Sequence, residues 1–228
     1  MEAEKVTYRI GILFMVLIII LLGGCQVDKD ETSTNPSEID KDDLPEVRAF
    51  NDSFTREFLQ STEETREGYY PFVSGTEQFK MDFPAEGVIG QKAYFIKEER
   101  YEEFPIHIKT ETGSKVRINY YSDDRKELLK ENLNAFKKRL GYDGDFEKLK
   151  GDKQSLNYAH YERNGFRTYV GYVLNERDSG GIELTYKIDC RDEKEEICKE
   201  NRQSDKKRAV KWMESVQFIN GDEGEDHE

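Results

Sequence analysis

The sequence predicts an α+β fold: an antiparallel sheet with amphipathic helices packed on it. Three observations carry that prediction. Short alternating segments end in tight-turn residues, as at Asn164-Gly165. A 3.6-residue apolar repeat runs through Leu129, Leu133, Phe136 and Leu140. Antiparallel segments and amphipathic helices occupy separate stretches of the chain instead of alternating as βαβ units.

Taken in order, residues 47–66, VRAFNDSFTREFLQSTEETR, place Phe50, Phe54 and Phe58 at four-residue steps with Leu59 beside them, the pattern of a helix. Gly68 and Pro71 end it. In TEQFKMDFP, Phe79, Met81 and Phe83 alternate with Gln78, Lys80 and Asp82, the period of a half-buried strand. QKAYFIKE, PIHIKTE and SKVRINYY read as further strands, the last two joined at Gly113-Ser114. Asp124 and Glu127 match a capping box ahead of the central helix, and Gly141 stops it. SLNYAHYER, FRTYVGYVLN and GIELTYKID follow as three strands, with turns at Asn164-Gly165 and Ser179-Gly180-Gly181. A last helix over about 203–216, capped by Ser204 and apolar at Val210, Trp212 and Met213, precedes VQFIN.

Net charge is -13 over 228 residues, but its distribution matters more than its size. Residues 25–46 hold eight acids against Lys29 and Lys41, and residues 220–228 hold five acids with no Lys or Arg. The body between them is nearly neutral. A nucleic-acid role is disfavoured, because binding a phosphate backbone needs a concentrated basic surface. The composition predicts four regions: a signal segment at 1–24, an acidic flexible tether at 25–46, one α+β domain at 47–219, and an acidic disordered tail at 220–228.

Residues 10–22, IGILFMVLIIILL, form an apolar run too short for a spanning helix, which needs about 20 residues. Lys5 and Arg9 precede it, as in the charged start of an export signal. Leu22-Gly23-Gly24-Cys25 resembles the bacterial lipobox. That resemblance implies cleavage between Gly24 and Cys25, and acylation of the Cys25 thiol by diacylglyceryl and palmitate-class chains. Two or more chains anchor stably, at about 0.8 kcal/mol per buried methylene. The expected location is the extracytoplasmic face of the cell membrane, with membrane lipid as the partner of Cys25. An uncleaved anchor over 6–24 is the alternative.

Cys190 and Cys198 remain. An oxidising space outside the cell favours a disulfide between them. Two free thiols, or a redox or metal role, are the other readings, although the spacing is not C-x-x-C and no histidine lies nearby in sequence.

FKMDFPAEG, the central helix and the closing AVKWMESVQF after three strands resemble a Mog1/PsbP-like α/β/α sandwich. More narrowly, the chain resembles uncharacterised lipoproteins of Bacillus and related Gram-positive bacteria, over about residues 72–220 plus the lipobox. The resemblance implies an assembly factor, binding module or accessory lipoprotein, and it carries over no catalytic residues, cofactor or metal.

Nothing in the sequence matches G-x-S-x-G or a phosphate-binding loop, and the histidines His107, His160 and His227 form no metal-ligand pattern. His107 lies on the face opposite Ile106 and Ile108; His160 is in phase with Leu156 and Tyr158. One feature is suggestive. The polar faces of the strands carry Lys80, His107, Lys109, Arg117, Arg163, Arg167 and Lys187, interleaved with Tyr121, Tyr161 and Tyr169. Aligned in one sheet, they would make a basic-aromatic face able to hold an anionic wall polymer, a headgroup or an acidic peptide, with an envelope polyanion or another surface protein as the expected partner. The bland alternative is a solvated or helix-covered strand surface. The expected role is a non-catalytic accessory or binding module at the cell surface. A cell-envelope hydrolase with an unrecognised site, or a structural protein supporting multicellular behaviour, stands as the alternative.

Overall fold

The computed structural model describes residues 35–151 and 153–219. Cys25, the Gly24–Cys25 cleavage position and the acidic tail at 220–228 lie outside the described residues. The polypeptide forms two antiparallel sheets. The larger follows the order β3-β5-β6-β10-β9-β8-β7, with β4 added beside β5. Its strands are β3 (Gly87–Ile89), β4 (Phe95–Lys97), β5 (Tyr101–Ile108), β6 (Ser114–Tyr121), β7 (Glu147–Lys150), β8 (Gln154–Arg163), β9 (Phe166–Asn175) and β10 (Gly181–Asp189). The smaller sheet joins β1 (Tyr69–Val73), β2 (Phe79–Pro84) and β11 (Gln217–Phe218), with β2 in the middle.

Turn chemistry explains the hairpins. Asn164 and Gly165 both adopt positive φ, 52° and 71°, so β8 and β9 pair from Arg163↔Phe166 to Gln154↔Asn175. Gly113, at φ 78°, closes β5 onto β6. The strand alternation then assigns faces. Ile106, Val116, Ile118, Leu184, Tyr186 and Val173 point inward to the main core. Above them lie α1 (Arg48–Asn51), α2 (Ser53–Arg56), the small sheet and the C-terminal helix α5 (Arg202–Glu214). Phe72 and Phe79 of the small sheet meet Phe104 of β5, with ring centroids 5.7 and 6.5 Å apart. Trp212 of α5 is buried against Tyr186 and donates its indole N–H to the Asp82 carbonyl at 2.9 Å, tying α5 to β2.

On the opposite, outer face, the amphipathic helix α3 (Leu129–Leu140) lays Leu129, Leu133, Phe136 and Leu140 over Ala159, Val170, Tyr172 and Leu174. Helices therefore flank the larger sheet on both faces, the α+β sandwich the sequence predicts. Helix α3 covers β8 and β9 and reaches Glu183 of β10, while His107, Lys115, Arg117 and Lys187 on the outer side of β5, β6 and β10 stay exposed.

Several elements differ from the sequence reading. The predicted helix at 47–66 is two single turns, because Asp52 caps α2 instead of continuing α1; its carboxylate accepts from the Thr55 N–H at 2.8 Å and the Thr55 hydroxyl at 2.6 Å. Phe50, Phe58 and Leu59 are still core residues. Asp124 does not cap α3: it accepts the Tyr172 hydroxyl at 2.5 Å, and α3 begins after a 3-10 turn at Lys126–Leu128. Ser204 lies inside α5, and its hydroxyl donates to the Asn201 carbonyl. A short helix, α4 (Glu195–Glu200), precedes α5. Pro36 is buried, and Leu44 packs into the core. The predicted tether, 25–46, therefore does not extend free to residue 46.

Candidate binding surface

The outer face of β5, β6, β10 and β9 is built from registered rows. His107, Lys115, Lys187 and Thr168 stand abreast across the four strands. Pro105, Arg117, Thr185 and Val170 form the next row, then Glu103, Asn119, Glu183 and Tyr172, and finally Tyr101, Tyr121, Gly181 and Leu174. Charge thus changes sign along the strands.

The acidic row is neutralised within the domain. Glu103 pairs with Arg117. Glu183, 3% exposed, pairs with Arg139 of α3. Burial pushes the Glu183 carboxyl above its ordinary range, against the opposing pull of Arg139. Beside it Asp124, likewise raised by burial, holds the Tyr172 hydroxyl, which also accepts from Asn132 of α3 at 3.1 Å. Gly181 is required here: a Cβ would lie 2.3 Å from Asp124 Oδ2 and 2.5 Å from the Tyr172 oxygen.

The basic row has no such compensation. His107, Lys115 and Lys187 are all exposed, and among the described residues neither lysine forms an ion pair with a carboxylate. Like charges directly opposite on paired strands are destabilising by a few tenths to about 1 kcal/mol. Lys187 places its ammonium 3.7 Å from the centre of the Phe166 ring, with the Arg191 guanidinium 4.5 Å from the same ring. Partial burial, then the charges of Lys115 and Arg48, lower the His107 pKa, so its imidazole is neutral at pH 7 and adds charge only in acid.

The predicted basic residues separate into three groups. Arg117 and Lys187 lie on this open face, and Lys109 follows β5 two residues beyond His107. Arg163 is on the outer face but caps α3, donating to the Leu140 and Gly141 carbonyls. Arg167 contradicts the reading. It points inward, 3% exposed, and donates to Glu162 at 2.9 Å, Asp205 at 3.0 Å and the Cys198 carbonyl at 2.8 Å. The cause is the two-residue strand period: Arg167 shares its face with Tyr169, Gly171 and Val173, and helix α5 covers that face. Tyr169 is buried with the exposed His160 beside it, ring centroids 5.9 Å apart, Tyr161 stacks on Tyr142, and Lys80 belongs to the small sheet. Lys115 is the residue that sequence reading missed. Its signal was present in SKVRINYY, two positions before Arg117 and in phase with it.

Cys190 and Cys198 form a disulfide, Cα atoms 5.7 Å apart, joining the end of β10 to α4. Among the described residues, no group of three His, Cys, Asp or Glu is placed to hold a metal ion, and no helix is long and apolar enough to cross a membrane.

These features define an α+β sandwich with one sheet half left bare and charged. The chain belongs to the family described as "Putative lipoprotein YvcA", whose model matches residues 45–217. A Bacillus subtilis (strain 168) protein named "Putative lipoprotein YvcA" is 26% identical over 226 residues, covering 89% of this chain and 93% of that protein. Among solved structures, a mutant of protein Mog1 aligns at TM-score 0.45 with 6% identity, over 67% of this chain and 97% of that one. A crystal structure from Bacteroides thetaiotaomicron VPI-5482 aligns at TM-score 0.41 with 12% identity, over 68% of this chain and 50% of that one.

Proposed function

We propose that the protein is a lipoprotein anchored through acylated Cys25 to the extracytoplasmic face of the cell membrane, where it acts as a non-catalytic binding module for anionic envelope polymer. The lipobox-like Leu22–Cys25 and a relative named as a lipoprotein support the anchor. One observation carries the binding role: Lys115 and Lys187 stand directly opposite each other on the uncovered half of the sheet, with His107 completing the row. A repeating phosphate polymer laid across β5, β6 and β10 would bridge cations that otherwise repel, and Phe166 with its attendant Lys187 and Arg191 would border its path. Binding of this kind releases counterions and weakens steeply with salt. It strengthens as pH falls through the lowered His107 pKa, because the imidazole then becomes a third cation.

The test is titration of the full chain with a long-chain polyphosphate or purified wall teichoic acid at low ionic strength. Lys115→Glu with Lys187→Glu should weaken binding at least tenfold, with the fold intact because both side chains are exposed. Binding unaltered by the pair removes the proposal. Incorporation of labelled palmitate, lost in Cys25→Ala, tests the anchor separately.

A further inference from the structure

The outer face of the larger sheet carries a second pattern at the other end of its strands, and it shares no residue with the row of His107, Lys115 and Lys187. Phe95 of β4 is 53% exposed, more than any other large apolar side chain among the described residues. It stands in register with Glu103 of β5 and so shares the outer face. Its ring centroid lies 6.0 Å from that of Tyr101. Tyr101 is in register with Tyr121 of β6, and their centroids are 5.2 Å apart. Three rings thus run in file across β4, β5 and β6. An apolar side chain exposed singly is ordinary, but a connected file of rings on an open sheet marks a surface that takes a partner.

The neighbouring row indicates which partner. Glu103 accepts the Tyr101 hydroxyl at 2.8 Å and pairs through its other oxygen with Arg117. Glu183 pairs with Arg139, and Asp123, just past the end of β6, pairs with Arg100. Asn119, uncharged, stands between Glu103 and Glu183. Lys97, in register with Tyr101, is followed directly by Glu98 and Glu99. Charge therefore cancels locally, and this end of the face does not attract an ion as the lysine row does. What it offers is apolar ring surface beside paired carboxylate and guanidinium, acceptor next to donor. A sugar ring is complementary to both. Its axial hydrogens present a flat apolar side to an aromatic ring, and its vicinal hydroxyls donate to a carboxylate and accept from a guanidinium. The backbone groups of β5 and β6 beneath the rings are already spent in their ladder, so recognition here runs through rings and side chains and not through an added peptide strand.

We propose that Phe95, Tyr101 and Tyr121 form a stacking platform for an uncharged, β-linked hexopyranose chain, whose hydroxyls are read by Glu103, Arg117 and Asn119. Equatorial β-linkages keep such a chain extended, as a straight file of rings requires. The Tyr101–Glu103–Arg117 contacts hold the polar groups in place before the sugar arrives, which lowers the ordering cost of binding.

Isothermal titration of the full chain with cellohexaose and with chitohexaose tests this. At least one of the two should bind, with an affinity that changes less than about twofold between roughly 0.05 and 0.5 M NaCl, because no net charge is neutralised. Phe95→Ala, at an exposed position, should weaken binding about fivefold or more, and Phe95→Trp, which enlarges the ring, should keep or tighten it. Arg117→Ala should weaken it independently of the rings. Lys115→Glu with Lys187→Glu should leave it unchanged. Absence of binding by both hexasaccharides, binding indifferent to Phe95→Ala, or binding that salt abolishes overturns the proposal. The lysine row takes no part in these readouts, so failure here leaves the polyanion proposal standing, and loss of polyanion binding leaves this one.

Discussion

Replacing Arg167 by methionine separates a structural arginine from a binding one. Arg167 reaches Asp205, Glu162 and the Cys198 carbonyl from a site only 3% exposed, and Asp205 is as buried. Methionine fills much of the same volume but removes every donor. Asp205 then keeps only Arg208, its neighbour on α5. Breaking a buried pair from one side costs about 3–5 kcal/mol, because it leaves a charge stranded. Against a total stability of about 5–15 kcal/mol that is a third or more of the whole for all but the most stable domains. With a urea slope of about 2 kcal/mol/M, the midpoint falls by roughly 1.5–2.5 M. The pH dependence gives a second signature. Burial already raises the Asp205 pKa, and Arg167 is among the groups opposing that rise. Without Arg167 the folded-state pKa climbs further above the unfolded value. A raised carboxyl contributes stability below its unfolded pKa and loses it as pH rises through the folded one. The deficit of Arg167→Met must therefore be larger at neutral pH than near pH 4. Adding Asp205→Leu should recover most of the loss, since a hydrophobic pair of similar volume replaces a buried ion pair at little cost. A deficit under about 1 kcal/mol, or one that is the same in acid, refutes the reasoning.

Two further substitutions probe other polar contacts. Glu102, fully buried, accepts from the Gly75 and Thr76 amides, the Thr76 hydroxyl and the Tyr94 hydroxyl; Glu102→Gln turns an amide toward donors and should cost about 2–4 kcal/mol, lowering Tm by roughly 5–15 °C, with hydrogen exchange quickened at Gly75 and Thr76. The hydrogen bond from Lys126, with help from Lys148, holds the Glu176 carboxyl at about 2, below its ordinary 4.5. That contribution is present above the ordinary value and fades as pH falls toward about 2, so Glu176→Gln should flatten the acid limb in urea titrations across that window, with a neutral-pH loss under about 1 kcal/mol; parallel acid limbs count against it.

What could be read from the residues depended on how local the determining interaction was. The β8–β9 hairpin was legible because Asn164 and Gly165 carry their turn preference within two positions. Helix α3 was legible because its apolar stripe is self-contained, although its start was misplaced: Asp124 serves Tyr172, 48 residues away. Strand β1 was hidden by Pro71, tolerated because β2 is its one full strand neighbour and its other edge makes an isolated bridge at Leu59. The exposed β7, EKLK, shows no apolar alternation at all. For the candidate surface, alternation correctly put Arg117 and Lys187 on a polar face, but the same rule was not extended to ask which face Arg167 occupied. Its partner Asp205 comes from a helix 38 residues away, which no local pattern announces.

Strand order has a consequence for how the molecule is made. β6 finds its neighbour β10 only when residues 181–189 are present, and β2 meets β11 only at residues 217–218. A ribosome releasing this polypeptide, or a translocation pore passing it amino end first, has delivered nearly all of the domain before its central ladder can zip shut. Such late closure keeps the emerging strand pliant enough to be threaded, and leaves its aromatic interior in need of chaperoning meanwhile.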